Sequence, residues 1–292
     1  MAIELLGYRG WQGELRSPWL SCWPMVRTGV WLVLRRKIFW LLLALGLLNF
    51  LFTFAIIYAK AELSAQNPMI GRALDRVRLT GTGEAFHFFM TRQEVVTMLL
   101  LAFAGSMLIG SDYQQSGLTF YLSRRLGRRH YVLGKLLAIE CIVLLITTLP
   151  ALILYLEYGL LSRSMEYFQE NWRILLGILG YGLTMAVVLS TLLCAVAAWV
   201  PRAVPLVMTW SCIFVLLPVV GENLRYIRDN RLWRLVSIWH DLDALGRWCF
   251  GAVREREDDI LFIHWSAVLV PSVVVMCLLL FVRRVRAVEV VR

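Results

Sequence analysis

Charged side chains are scarce in this chain. Asp, Glu, Lys and Arg make up 17% of its 292 residues, where an ordinary soluble domain carries about a quarter. Catalytic signatures are missing too: there is no HExxH, no GxSxG, no Walker phosphate loop and no close carboxylate pair inside an apolar stretch. The four histidines (His87, His130, His240, His264) are too dispersed to make a metal site. Six cysteines (Cys22, Cys141, Cys194, Cys212, Cys249, Cys277) form no CxxC and no metal-ligand spacing, so they read as packing residues. The net charge of +10 comes without a basic stripe interleaved with solvent-facing aromatics, which argues against nucleic acid as a partner. The chain is therefore expected to be no enzyme and to hold no cofactor or metal of its own.

What is abundant is apolar sequence, 59% of residues, with a mean hydropathy of +0.67. It falls into six blocks at about 38–58, 95–110, 136–156, 174–200, 204–220 and 260–282. Crossing the hydrocarbon core takes roughly 20 helical residues. Only helices satisfy their own backbone in lipid among single segments of this kind. The sequence therefore predicts an all-α polytopic membrane protein with six transmembrane helices. The second block is short, and Phe86–Met90 extends it if the helix runs on across Arg92 and Glu94. The 37 residues before the first block, with several tryptophans and arginines, do not read as a cleaved signal peptide.

Basic clusters give the helices a direction. Arg35, Arg36 and Lys37 abut the first block, and Arg124, Arg125, Arg128, Arg129 and Lys135 fill the second gap. Arg202 lies in the fourth gap, and Arg283, Arg284 and Arg286 follow the last block. Six crossings place all four clusters on one side, predicting both termini in the cytoplasm and residence in the cytoplasmic (inner) membrane. Basic residues then number 16 inside and 14 outside, while acidic residues number 4 inside and 15 outside. The positive face suits anionic lipid headgroups.

This layout divides the chain into a cytoplasmic N-terminal segment (1–37), a transmembrane domain (38–282) and a cytoplasmic tail (283–292). From Met25 onward, Val26, Val30, Val33 and Leu34 share one face, predicting an amphipathic helix on the inner leaflet. In the loop after Val220, the spacings of Leu232, Leu235, Val236 and Trp239, and of Leu242, Leu245 and Cys249, predict two short helices. Their aromatic content suits a loop that dips into the outer interface before the last span; a surface lid and a substrate gate both fit. Ionisable residues assigned to spans are few, namely Glu140, Glu157 and His264, all near an interface. That scarcity of mid-membrane polar groups argues against ion-coupled transport.

The most sharply patterned polar segment is the second gap, from Gly110 to Lys135. A polar start (Tyr113, Gln114, Gln115) leads to a Ser116-Gly117 break, an apolar patch (Leu118, Phe120, Tyr121, Leu122), a basic turn and an entry helix ending in Gly134-Lys135. Such an amphipathic element suits docking into a groove on a cytoplasmic partner. An ordinary positive-inside loop lying on headgroups has the same charge.

Ser116-Gly117-Leu118-Thr119-Phe120-Tyr121-Leu122-Ser123-Arg124, followed by Gly127-Arg128-Arg129-His130-Tyr131-Val132-Leu133-Gly134-Lys135, resembles the loop between the second and third spans of ABC-2-type ABC transporter permeases. The six-span layout and Trp239–Arg247, just before the last span, resemble that family as well. Leu118-Thr119 inverts the family's usual Thr-Leu order, and Arg125 stands where a proline is common. The resemblance implies the membrane subunit of an ATP-driven exporter, working as a dimer with a second copy or a homologous permease. It also implies a separate cytoplasmic ATPase subunit that holds ATP and Mg, contacted through Tyr113, Gln114, Gln115, Ser116, Gly117, Leu118, Thr119, Phe120, Tyr121, Leu122, Arg124 and Arg125. A permease-like membrane anchor of an ATPase-driven envelope or assembly complex, moving no solute, is the alternative.

Overall fold

The computed structural model describes residues 22–66, 81–115, 117, 127–161, 166–253 and 257–289. Among them there is no strand, and six helices are long and apolar enough to cross a membrane. The chain is a polytopic all-α membrane protein. Its spans are Lys37–Ala59, Gly83–Gln114, Arg128–Leu161, Trp172–Trp199, Ala203–Arg228 and Glu257–Val285.

Three spans form the interior. About two thirds of the apolar window is buried in the second and fourth spans and half in the third, against 22%, 17% and 22% in the first, fifth and sixth. Ile139, Val143, Ile178, Met185, Leu189 and Cys194 are fully enclosed where the third and fourth spans meet. The outer three expose large side chains such as Leu41, Met208 and Leu279. In water so much apolar surface would be a liability. Against acyl chains it costs nothing, and packing between helices then rests on close contact and buried polar bonds.

Local chemistry explains several irregularities. The third span breaks at Thr147, three residues before Pro150, whose ring clashes with the carbonyl a turn back and which lacks an N–H. There the Thr147 hydroxyl donates to the Val143 carbonyl at 2.8 Å. The second and fifth spans each contain a π-helical turn, Ser106–Gly110 and Cys212–Leu216, a form that commonly marks functional places in helices. Beside these turns, Trp210 is buried and its indole N–H donates to the Met98 carbonyl at 3.0 Å, tying the fifth span to the second.

Two boundaries differ from the sequence expectation. The second helix begins at Gly83, twelve residues before the apolar block, so Arg92 and Glu94 are inside it. They coexist there because they face opposite ways: Arg92 is exposed, with its guanidinium over the Phe88 ring at 4.1 Å, while Glu94 is wholly buried. The fifth helix runs on past Val220 to Arg228 and stops where Asp229 turns left-handed, at φ 45°. A 3-10 turn over Arg231–Val236 and a helix over Ile238–Cys249 follow, as the spacing in that loop predicts.

The N-terminal helix Cys22–Leu34 buries Cys22, Val26, Gly29 and Val33 along one face, packed on the third span. A hydrogen bond from the Trp40 indole to the Leu34 carbonyl, 2.8 Å, fixes the turn into the first span. Six crossings return the chain to the side on which it starts, so this helix and the end of the sixth span share one face. The helix Ile238–Cys249 belongs to the opposite face.

Candidate functional site

Two polar clusters stand out against the apolar bundle, one at each face. The first lies where the chain ends are. Asp112 is the last acidic residue of the second span, and the Lys135 ammonium lies 2.7 Å from its Oδ2. The Tyr131 hydroxyl donates to the same oxygen at 2.8 Å. Both charged side chains are nearly enclosed, with 11% and 12% of their area exposed for Lys135 and Asp112. The Lys135 ammonium also donates to the Leu108 carbonyl, within the π-helical turn of the second span. Asp112 is thus on the second span, Tyr131 and Lys135 are on the third, and one carboxylate joins the two ends of the patterned segment.

Further contacts tie the same place to the fourth and sixth spans. Gln114 donates from its amide to the Pro201 carbonyl at 2.6 Å. Gly110 makes that approach possible, since a Cβ there would lie 2.3 Å from the Pro201 oxygen. The Arg284 guanidinium sits over the Trp199 ring at 5.3 Å and the Tyr113 ring at 5.9 Å, distances at which a cation is attracted to the ring face. Four spans therefore converge on the root of the loop.

Of the residues expected to dock a partner, Tyr113 and Gln114 are in this cluster. Gln115 is exposed at the helix end, and Gly117 lies beside Asp112. Ser116, Leu118, Thr119, Phe120, Tyr121, Leu122, Arg124 and Arg125 lie outside the described residues. Sequence reasoning did not single out Asp112.

The second cluster is at the opposite face, between the second span, the fourth span and the helix Ile238–Cys249. His87, Thr91 and Glu94 recur at helical spacing on one side of the second span. The His87 Nε2 lies 3.3 Å from Asp243 Oδ1, 3.2 Å from the Asp243 carbonyl oxygen and 3.5 Å from the Thr91 hydroxyl. Arg247 donates from Nε to Asp243 Oδ2 at 3.0 Å. Deeper in, the Tyr181 hydroxyl donates to Glu94 Oε2 at 3.4 Å, and Glu94 Oε1 has no partner. Gly246 brings the short helix this close, because a Cβ there would lie 2.8 Å from both the His87 and Tyr181 rings. On another side of the second span, Gln93 accepts from Asn49 at 3.1 Å and donates to the Gly46 carbonyl at 3.2 Å, joining the first span.

This cluster overturns one expectation. Polar groups do converge within the bundle, so the scarcity that argued against ion-coupled transport does not hold. The ionisable residues singled out in the sequence are placed differently: Glu140 accepts a hydrogen bond from Ser190 at 3.2 Å, Glu157 is buried with both oxygens unpartnered, and His264 is exposed and bonded to its own helix.

A cavity of about 330 Å³ opens beside the cluster, lined among others by Arg225, Arg231, Arg234, His240, Asp243 and Arg247. Glu222 bridges Arg225 at 2.5 Å and Arg234 at 2.9 Å, and Arg231 pairs with Asp259. Burial, with Arg234 adding to it, holds the His240 imidazole below its usual range. Nearby, Asp241 is enclosed and accepts from Ser266 at 2.9 Å; its Oδ2 has no partner, and burial pushes its carboxyl up to about 7. Among the described residues no group of three or more His, Cys, Asp or Glu side chains could hold a metal ion, and all six cysteines are free.

No protein-family model matches the chain, and no curated protein matches it.

Proposed function

We propose that this chain is the membrane permease subunit of an ATP-binding-cassette exporter of the ABC-2 type, driven by ATP hydrolysed in a separate cytoplasmic subunit. The observation that carries the reading is the Asp112–Lys135–Tyr131 clamp at the root of the loop whose sequence resembles that family's. A docking element passes a push into a bundle only if its base is stiff. Here one buried carboxylate holds both sides of the loop, and Gln114 and Tyr113 extend the grip to the fourth and sixth spans. The remaining loop residues, Leu118 to Arg125, would face the ATPase, which carries the ATP and Mg. Two arrangements of the bundle, biased by nucleotide in the partner, would then alternate.

The permease works as a dimer with a second copy or a homologous chain. The uncovered apolar faces of the first, fifth and sixth spans leave room for that partner as well as for lipid. The basic loop and tail orient the clamp toward the cytoplasm.

Co-expression with candidate ABC-type ATPase subunits tests the reading. Leu118→Asp places a charge in the apolar patch of the loop and abolishes co-purification of the ATPase while the permease still inserts. Undiminished co-purification with the Leu118→Asp chain overturns the docking assignment.

A further inference from the structure

We propose that Glu94 is a proton-binding site, in exchange with water on the face opposite the chain ends through His87 and Asp243. This does not rest on the exporter reading, because it uses no residue of the loop or of an ATPase.

Glu94 is 0% exposed. Among the described residues its only side-chain hydrogen bond is the long one from Tyr181, its Oε1 is unpartnered, and it has no ion-pair partner. A carboxylate so placed lacks what a buried charge requires, whereas a carboxylic acid is neutral there. Among the described residues no cation offsets the charge. The fourth span presents Tyr181; the helix Ile238–Cys249 presents Asp243, already bonded to Arg247; the second span itself presents His87, with Glu84 one turn further along. The first span contributes the neutral Asn49, held by Gln93, and the fifth contributes Trp210, committed to Met98. On the third span, Glu140 is bonded to Ser190, and neither Glu157 oxygen has a partner among the described residues.

What separates this carboxyl from an inert buried acid is a route. Asp243 lines the cavity and touches His87. His87 touches the Thr91 hydroxyl, which is within reach of the Tyr181 phenol, and Tyr181 donates to Glu94. Every group in the series can both give and accept a proton. In one passage, water in the cavity protonates the His87–Asp243 pair and His87 passes a proton to Thr91. Thr91 gives its own to Tyr181, and Tyr181 gives its own to the Glu94 carboxylate. One proton moves from water to Glu94, and each intermediate group ends as it began. Contacts of 3.4–3.5 Å are long for such bonds, and the Thr91 hydroxyl rests on the His87 carbonyl at 2.9 Å, so transfer requires Thr91 to turn and these contacts to shorten.

Infrared spectroscopy of the full chain in lipid nanodiscs tests this. A protonated-carboxyl band present at neutral pH is expected to vanish in Glu94→Gln and to give way to carboxylate as the pH is raised. In Glu94→Asp, which keeps the acid, the band is displaced, so a poorly folding Gln variant does not leave the assignment open. Exchange of that band into D2O is expected to slow by about tenfold or more in His87→Gln, since a positioned acid–base group accelerates proton transfer by at least that factor. Either a spectrum in which neither Glu94 variant alters a carboxyl band, or an exchange rate unchanged by His87→Gln, overturns the proposal.

Discussion

The carboxylate of Asp112 lies 2.7 Å from the ammonium of Lys135, across a loop whose two ends these residues mark. Neither residue lies in the apolar patch between them, yet together they decide how firmly the ends of the loop are held. An ion pair this enclosed is costly to break from one side, because the survivor is left buried without a partner.

Asp112→Leu and Lys135→Met are each expected to destabilise the folded bundle by about 3 kcal/mol, within the range for one-sided loss of a buried pair. The double replacement Asp112→Leu/Lys135→Met is expected to recover a large part of that loss. Unfolding in mixed micelles, analysed as a double-mutant cycle, checks both. Additive single effects would mean that the two groups do not act as a pair.

At the other face, Gly246→Val is expected to lift the helix Ile238–Cys249 away from the second and fourth spans. A Cβ at 2.8 Å from His87 and Tyr181 must displace one ring or the helix, at a cost of about 1–3 kcal/mol. Increased protease or solvent access to residues 238–249, with the spans intact, is the readout.

The buried Asp241 gives the stability a pH dependence of definite sign. Its folded carboxyl titrates at about 7, above the ordinary 3.8. The folded state therefore binds more protons than the unfolded state between those values, and stability from this group is full below about pH 4 and falls as the pH rises to about 7. Asp241→Asn removes that slope. Melting temperatures of wild type and variant between pH 4 and 8 should diverge as the pH rises, the wild type losing ground; parallel curves would refute it.

Much of this architecture is legible in the sequence, and the parts that are not have physical reasons. Six apolar blocks announce six spans, because lipid demands continuous runs and tolerates little else. The second span hides its first half since Arg92 and Glu94 interrupt the run; only in three dimensions does one turn outward onto Phe88 and the other inward toward Tyr181. The fifth span hides its last two turns because Glu222, Arg225 and Arg228 read as a polar loop, although Glu222 and Arg225 pair one turn apart. Tyr131 and Lys135 stand in the recognisable motif, but their partner Asp112 is 23 residues before Lys135 across a loop, and no periodicity links the two. The short helices before the last span were readable from their own spacing. Their docking onto His87 was not, because a glycine at 246 marks close approach without saying to what.

In the proposed function, this chain couples to an ATPase through the loop rooted at Asp112 and Lys135. The most direct measurement is ATP turnover by an ABC-type ATPase that co-purifies with this chain, reconstituted in lipid with and without it. The account predicts that turnover changes on addition of the wild-type chain and returns to the rate of the free ATPase with Leu118→Asp. An ATPase that turns over at one rate whether the chain is wild type, Leu118→Asp or absent would contradict it.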